Sequence, residues 1–308
     1  MHWTLRGRGL LSVLAAACMI FTAVAVAEAA GGYSTPASIT MAGAGESQDV
    51  RYGRRVAIRG FVSPGAAGKP VSLEYARPGR SFKALASATT RADGSYRFAV
   101  KARRSGSYRA RAKGIDKTTA ARSVTVLARL AGRSKRHILG GRPVRVRGRL
   151  LPRLAGRRVR LQVRAPRGWT TVDRARTRSG GRFRAAFTPR RPGVYRLRVR
   201  FLGDGAAEAA SDRLRRVYVY RAGHASWYGP GFYGNSTACG GALTLGRLGV
   251  AHKYLPCGTR VTFRYRGRSV TARVIDRGPF AAGRDWDLTA VTKQRLRFGD
   301  VGVVWSTR

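Results

Sequence analysis

Val159-Arg160-Leu161-Gln162-Val163-Arg164 alternates apolar and polar side chains residue by residue, and Tyr195-Arg196-Leu197-Arg198-Val199-Arg200 does the same. A period of two marks half-buried antiparallel strands, because successive side chains leave opposite faces of the backbone. Outward from these two stretches, similar segments separated by Gly and Pro turns run from about residue 44 to 220.

The same region repeats itself once. Gly53-Arg54-Arg55-Val56-Ala57-Ile58-Arg59-Gly60 corresponds to Gly141-Arg142-Pro143-Val144-Arg145-Val146-Arg147-Gly148, and the turn at Pro64 and Gly68 corresponds to Pro152 and Gly156. Asp93-Gly94-Ser95-Tyr96-Arg97-Phe98 matches Gly180-Gly181-Arg182-Phe183-Arg184, and Gly106-Ser107-Tyr108-Arg109 matches Gly193-Val194-Tyr195-Arg196, a period of about 88 residues. Two β-sandwich modules of immunoglobulin-like type are expected, over 44–130 and 131–220, after a linker at 30–43.

Of 308 residues, 61 are Lys or Arg and 14 are Asp or Glu, a net charge of +47. This excludes an ordinary neutral cytosolic enzyme and calls for a polyanionic neighbourhood: nucleic acid, anionic membrane or acidic wall polymer. Apolar residues make up 44%, enough for packed cores, so wholesale disorder is excluded. If Val, Leu and Tyr face inward, the arginines line the outer faces; residues 131–220 carry a net +22 and residues 44–130 a net +14. Two readings follow: a solvated face in an arginine-biased chain, or adhesion to anionic cell-wall polymers or lipid head groups. Neither repeat holds a cluster of His, Cys and carboxylate, so spacers or adhesion modules are expected there. His137, alone in a linker-like stretch, is assigned no role.

Arg6 and Arg8 precede an apolar run from Leu10 to Val26 that ends in Ala25-Val26-Ala27. The pattern is that of a signal peptide over 1–29, cleaved near Ala27 or Ala29. A membrane anchor is the competing reading, since the run is about 17 residues where a spanning helix needs about 20. Cys18, with apolar sequence after it, is a poor lipid-attachment cysteine. Removal of the segment leaves Cys239 and Cys257, which in an oxidising compartment are expected to form one disulfide. Closing that loop would stabilise the fold by about 3 kcal/mol. Nucleic acid then ceases to be an expected partner.

Composition shifts near Arg221, opening a third domain at 221–308 with a net charge of +10. Residues 223–241 have too many glycines and aromatics for a helix and read as a strand followed by a long loop presenting aromatic rings. Strands are expected at Arg260–Tyr265 and Ser269–Asp276, joined by Arg266-Gly267-Arg268. A short helix from Ala290 to Arg297 is expected to stop at Gly299 as its cap.

Four blocks of this domain, Ala225-Ser226-Trp227-Tyr228-Gly229, Thr237-Ala238, Ala251-His252 with Leu255-Pro256 and Gly258-Thr259, and Asp276-Arg277-Gly278-Pro279-Phe280 with Asp287-Leu288, occur in one order. In these the segment 222–306 resembles the rare lipoprotein A-like family, septal lytic transglycosylases with a double-psi β-barrel domain related in fold to expansins. The resemblance implies a small closed barrel of six strands whose groove binds peptidoglycan glycan strands. The whole chain is therefore expected to be all-β: two immunoglobulin-like sandwiches followed by a six-stranded double-psi β-barrel with a short helix.

A lytic transglycosylase lets the 6-hydroxyl of an acetylmuramic sugar attack its own glycosidic carbon, leaving an anhydro end, so one acid/base group suffices. An ordinary glycosidase needs two carboxylates about 5 to 9.5 Å apart. The domain holds four carboxylates, Asp276, Asp285, Asp287 and Asp300. Asp276 ends a strand at a loop mouth and matches the family's catalytic aspartate; His252 matches its active-site histidine, with a structural hydrogen bond as the competing role. Asp287 is read as capping the helix. Thr237, Tyr233, Trp286, Trp227 and Tyr228 are expected sugar contacts, with Tyr233 and Trp286 favoured because they fall in loops, although one of Trp227 and Tyr228 must point inward. No metal or cofactor is expected.

One departure weighs against cleavage. The family usually carries an acidic residue eleven positions before the histidine, and here that position is Gly241. Two functions stay open: a secreted lytic transglycosylase acting on peptidoglycan, or an expansin-like module that binds wall polysaccharide without hydrolysing it.

Overall fold

The alternating segments become sheets. A computed structural model describes residues 36–65 and 67–308; the segment 1–29, with Cys18, lies outside the described residues. Ser38–Met41, Arg55–Ser63 and Ser95–Lys101 form one sheet of the first sandwich. Ser47–Arg51, Arg122–Leu127, Gly106–Ala112, Pro70–Ala76 and Lys83–Thr89 form the other. Along Arg55–Ser63, Val56, Ile58 and Val62 are buried while Arg55 and Arg59 are exposed, and the inward residues of both sheets share one core with Leu73, Phe98 and Val124. Ser38–Met41 lies within the stretch read as a linker, because Met41 is drawn into that core.

The second sandwich repeats the plan. Arg129–Ser134, Val144–Leu151 and Arg182–Phe187 face Gly168–Arg176, Arg158–Ala165, Leu197–Phe201 and Ala210–Arg213 across a core that includes Val146, Leu161 and Val199. Each copy lays an aromatic ring over a glycine on the neighbouring strand. Gly60 pairs with Tyr96 and Gly148 with Phe183. A Cβ at Gly60 would stand 2.5 Å from Tyr96 Oη, and one at Gly148 2.2 Å from the Phe183 ring. Only glycine admits the ring, and the repeat preserves the pair.

The boundary read at residue 220 falls inside a single strand, Val217–Tyr228. Its first residues pair with His137–Leu139 and Gly193–Tyr195 in the second sandwich. Its last residues pair with Trp286–Thr289 and Gly302–Ser306 in the third domain. His137 is thus part of a strand and not of a linker: its ring stacks on Tyr218 at 5.3 Å and its Nδ1 lies 2.8 Å from Tyr220 Oη.

The third domain closes on itself. From Val217–Tyr228 the pairing passes to Trp286–Thr289, Gly249–Ala251, Arg268–Asp276, Arg260–Tyr265 and Gly302–Ser306, and from there back to Val217–Tyr228. Ala225, Val250, Phe263, Val274, Trp286, Leu288 and Val304 fill the interior. The Arg266-Gly267 turn has both residues at positive φ, 42° and 85°, the geometry a two-residue hairpin needs. Helix Ala290–Leu296 ends on Arg297 at φ 51°, whose N–H and that of Phe298 return to the last turn, so Gly299 is not the cap.

Gly148→Val forces a side chain into the Phe183 ring and should destabilise the protein by about 1–3 kcal/mol, seen as a lower urea midpoint. Gly205→Ala, where a Cβ meets nothing within 4 Å, should leave the midpoint unchanged.

Candidate active site

Ala251 carries a carboxylate on each side: Asp276 is its partner in the parallel strand Arg268–Asp276, and Asp287 its partner in the antiparallel strand Trp286–Thr289. Both carboxylates thus flank the small, buried Ala251 from backbones about 10 Å apart, two strand spacings, with a β-bulge at the Val250–Ala251 step on the Asp276 side. The remaining carboxylates are engaged elsewhere. Asp285 accepts from the His224 N–H and faces Arg221 at 3.7 Å, and Asp300 is held by Lys293 and by Trp227 Nε1, both at 2.7 Å.

Asp276 is oriented by the backbone. Its Oδ1 accepts the N–H of Ala238 at 2.9 Å and of Arg277 at 2.8 Å. Thr237 makes the first contact possible by folding the loop: its hydroxyl donates to the carbonyls of Gly240 and Gly241 at 3.0 and 3.2 Å, and its side chain is buried. The Cys239–Cys257 disulfide anchors the same loop. Arg277 turns away from the Asp276 carboxylate, its guanidinium lying 3.4 Å from Cys257 Sγ.

Asp287 stands in a strand and takes the hydroxyl of Ser226, so it does not cap the helix, which starts from Thr289. Burial pushes its carboxyl above the ordinary aspartate value, and the Ser226 hydrogen bond and Arg284 only partly oppose this. Sequence reasoning passed over Asp287 as a chemical group. The available signal was an aspartate set between two apolar residues, Trp286 and Leu288, in a strand where that residue type is disfavoured.

Tyr228 lies by both carboxylates. Burial first, then the neighbouring Asp276 and, more weakly, Asp287, push its phenol well above the ordinary tyrosine value. Its buried hydroxyl faces Asp276 without meeting it in the geometry of a formed hydrogen bond. The ring packs edge-on to Phe232 at 6.3 Å.

The His252 ring is held by the loop that follows it. Its Nδ1 accepts the N–H groups of Tyr254 and Leu255 at 3.1 and 3.0 Å, which places the proton of the neutral ring on Nε2. Burial holds its pKa below the ordinary histidine value. Among the described contacts its side chain reaches neither carboxylate; it packs on Trp286 at 4.5 Å.

The expected sugar contacts divide. Trp286 is fully buried against Phe263 and His252, which removes it as a sugar platform. Trp227 has Lys293 Nζ 3.7 Å from its ring centre, so one face is already covered. Tyr233 is half-buried with its hydroxyl packed over Gly229. The exposed rings among the described residues of the barrel are Phe232, Tyr254 and Phe280, at 55%, 85% and 84% exposure, and the last two follow His252 and Asp276 closely in the chain. Gly241 adopts φ +75°, and a Cβ there would lie 3.2 Å from Arg247 Nη1, so the local backbone is built for glycine.

Residues 220–305 match the family model described as Lytic transglycolase. The probable endolytic peptidoglycan transglycosylase RlpA of Synechocystis sp. is 46% identical over 96 residues, 30% of this chain and 29% of that protein. The protein of that description from Aquifex aeolicus is 37% identical over 93 residues, 30% of this chain and 41% of its own. The endolytic peptidoglycan transglycosylase RlpA of Pseudomonas aeruginosa is 43% identical over 82 residues, 26% of this chain and 24% of its own. The chain spans less than half the length of these curated relatives, and the likeness is confined to the barrel. A solved tetra-tandem repeat from the extending region of a large adhesion protein aligns over 83% of this chain and 72% of its own, at 12% identity and a TM-score of 0.36, too low to carry an argument.

Because Asp287 keeps its proton in the folded state after the unfolded chain has released it, stability should fall as pH rises from the ordinary aspartate range through the raised value. In urea titrations across that window the wild type should lose stability relative to Asp287→Asn; parallel curves would contradict the assignment. Replacing Cys239 and Cys257 by alanine should cost about 3 kcal/mol of unfolding free energy.

Proposed function

We propose that the barrel is an exported lytic transglycosylase domain acting on peptidoglycan glycan strands, with Asp287 as the acid. The observation that carries this is a pair of carboxylates set on either side of Ala251 inside the segment that matches the transglycosylase family, with Asp287 pushed upward by burial and Asp276 held by two backbone N–H groups. A carboxyl whose proton is held by burial is suited to act as the general acid.

In the reaction the Asp287 proton passes to the bridging oxygen as the bond from the muramic C1 breaks. The 6-hydroxyl oxygen of the same sugar forms the new bond to C1, and its proton leaves to a carboxylate, Asp276 being held ready by two backbone N–H groups. No water is consumed and an anhydro end results. Tyr228 lies beside both carboxylates, while Ser226 and Thr237 position Asp287 and Asp276. His252 braces the loop that carries Tyr254, and the exposed rings of Phe232, Tyr254 and Phe280 offer flat faces to sugars.

Gly241 favours a second reading, an expansin-like module that binds glycan without cleaving it. The disulfide supports residence in an oxidising envelope compartment, in keeping with cleavage near Ala27 or Ala29.

Incubation of the purified chain with peptide-free glycan strands should yield anhydro-ended fragments by mass spectrometry. Asp287→Asn should lower the rate by about 10²–10⁴. Glycan that is retained by the protein yet keeps its original ends would establish the binding reading instead.

A further inference from the structure

Besides Arg129 at its edge, the outer face of the sheet Arg129–Ser134, Val144–Leu151 and Arg182–Phe187 holds six exposed arginines in register. Arg133, Arg147 and Arg184 form one row across the three strands, Arg149 and Arg182 pair in the next, and Arg145 continues the central strand. Like charges on neighbouring strands repel. Among the described residues none of the six has an ion pair or hydrogen bond, whereas the buried Arg157 is held by both oxygens of Asp204 at 2.7 and 2.9 Å.

Two grooves of about 650 and 690 Å³ run along this face and share Arg133 and Arg147, and no carboxylate lines either of them. Asp173 edges a neighbouring depression, where its oxygens accept the backbone N–H groups of Arg174 and Ala186. One groove reaches Trp305 and His137, at the strand junction with the barrel.

We propose that this track binds a wall polymer of polyol units joined by phosphodiesters. Guanidinium forks match phosphate oxygens in pairs. Arg145, Arg147 and Arg149 recur at every second residue, about 6.8 Å apart along an extended strand. A short polyol phosphodiester repeats its charge at a similar spacing, whereas the carboxylates of an alternating glycan recur only every second sugar ring. A concave track admits a chain and disfavours the flat head-group plane of a bilayer. Because Val217–Tyr228 is continuous, the polymer would be held at a fixed position relative to the barrel, and the assignment stands whether or not the barrel cleaves.

The test uses the full chain and synthetic poly(glycerol phosphate). The triple variant R145Q/R147Q/R149Q should bind about tenfold or more weakly than wild type. R55Q/R59Q/R97Q, which removes the same charge from exposed positions on the first sandwich, should change binding less than about twofold. Thermal melting confirms that both variants are folded. Equal losses in the two variants, no loss in either, or wild-type binding as tight to phosphatidylglycerol vesicles at matched charge would overturn the proposal.

Discussion

The strand Val217–Tyr228 belongs to two folds at once, and the rest of the molecule is arranged by that constraint. Its first turn of hydrogen bonds completes the second sandwich, and its last closes the barrel. Every residue from Val217 to Tyr228 is paired with a neighbouring strand, so the ladder passes from the sandwich into the barrel without a break. The same strand delivers Ser226 to Asp287 and Tyr228 to the space beside Asp276. Closing the barrel thus brings Ser226 and Tyr228 beside the carboxylates of its mouth.

Electrostatics divide the chain into two territories. The sandwiches carry most of the +47 on solvent-facing arginines, and in the second sandwich those arginines are left without partners along a groove. The barrel carries far less, and its four aspartates sit in different surroundings. Asp285 and Asp300 stay with cations at the surface, Asp276 is fixed by two backbone N–H groups, and Asp287 is partly withdrawn from water. A high overall charge therefore says where the protein can adhere and little about what it does to its substrate.

The sandwiches were legible because their signal is local: alternation along Val159–Arg164 is a property of adjacent residues, and the repeat doubles the evidence. The Arg266-Gly267 hairpin was legible for the same reason. Trp286 was not. It follows Gly283-Arg284-Asp285 and looks like a loop residue, and its burial comes from pairing with Ala225, sixty-one positions earlier in the chain. Asp287 was missed because its environment is assembled by Ser226 and Ala251 from two other strands. The continuity of Val217–Tyr228 was hidden by a change of composition that coincides with a change of partner strands and not with an end of structure. His252 matched the resemblance in position, while the hydrogen bonds its ring takes from Tyr254 and Leu255 depend on the fold of the loop that follows it.

The most direct measurement follows the oxygen atoms. Peptide-free glycan digested by the full chain in water enriched in heavy oxygen should give new muramic ends that contain none of the label, because the sugar's own 6-hydroxyl closes the bond. Labelled reducing ends would show that water is the nucleophile and would contradict the one-acid anhydro chemistry assigned to Asp287.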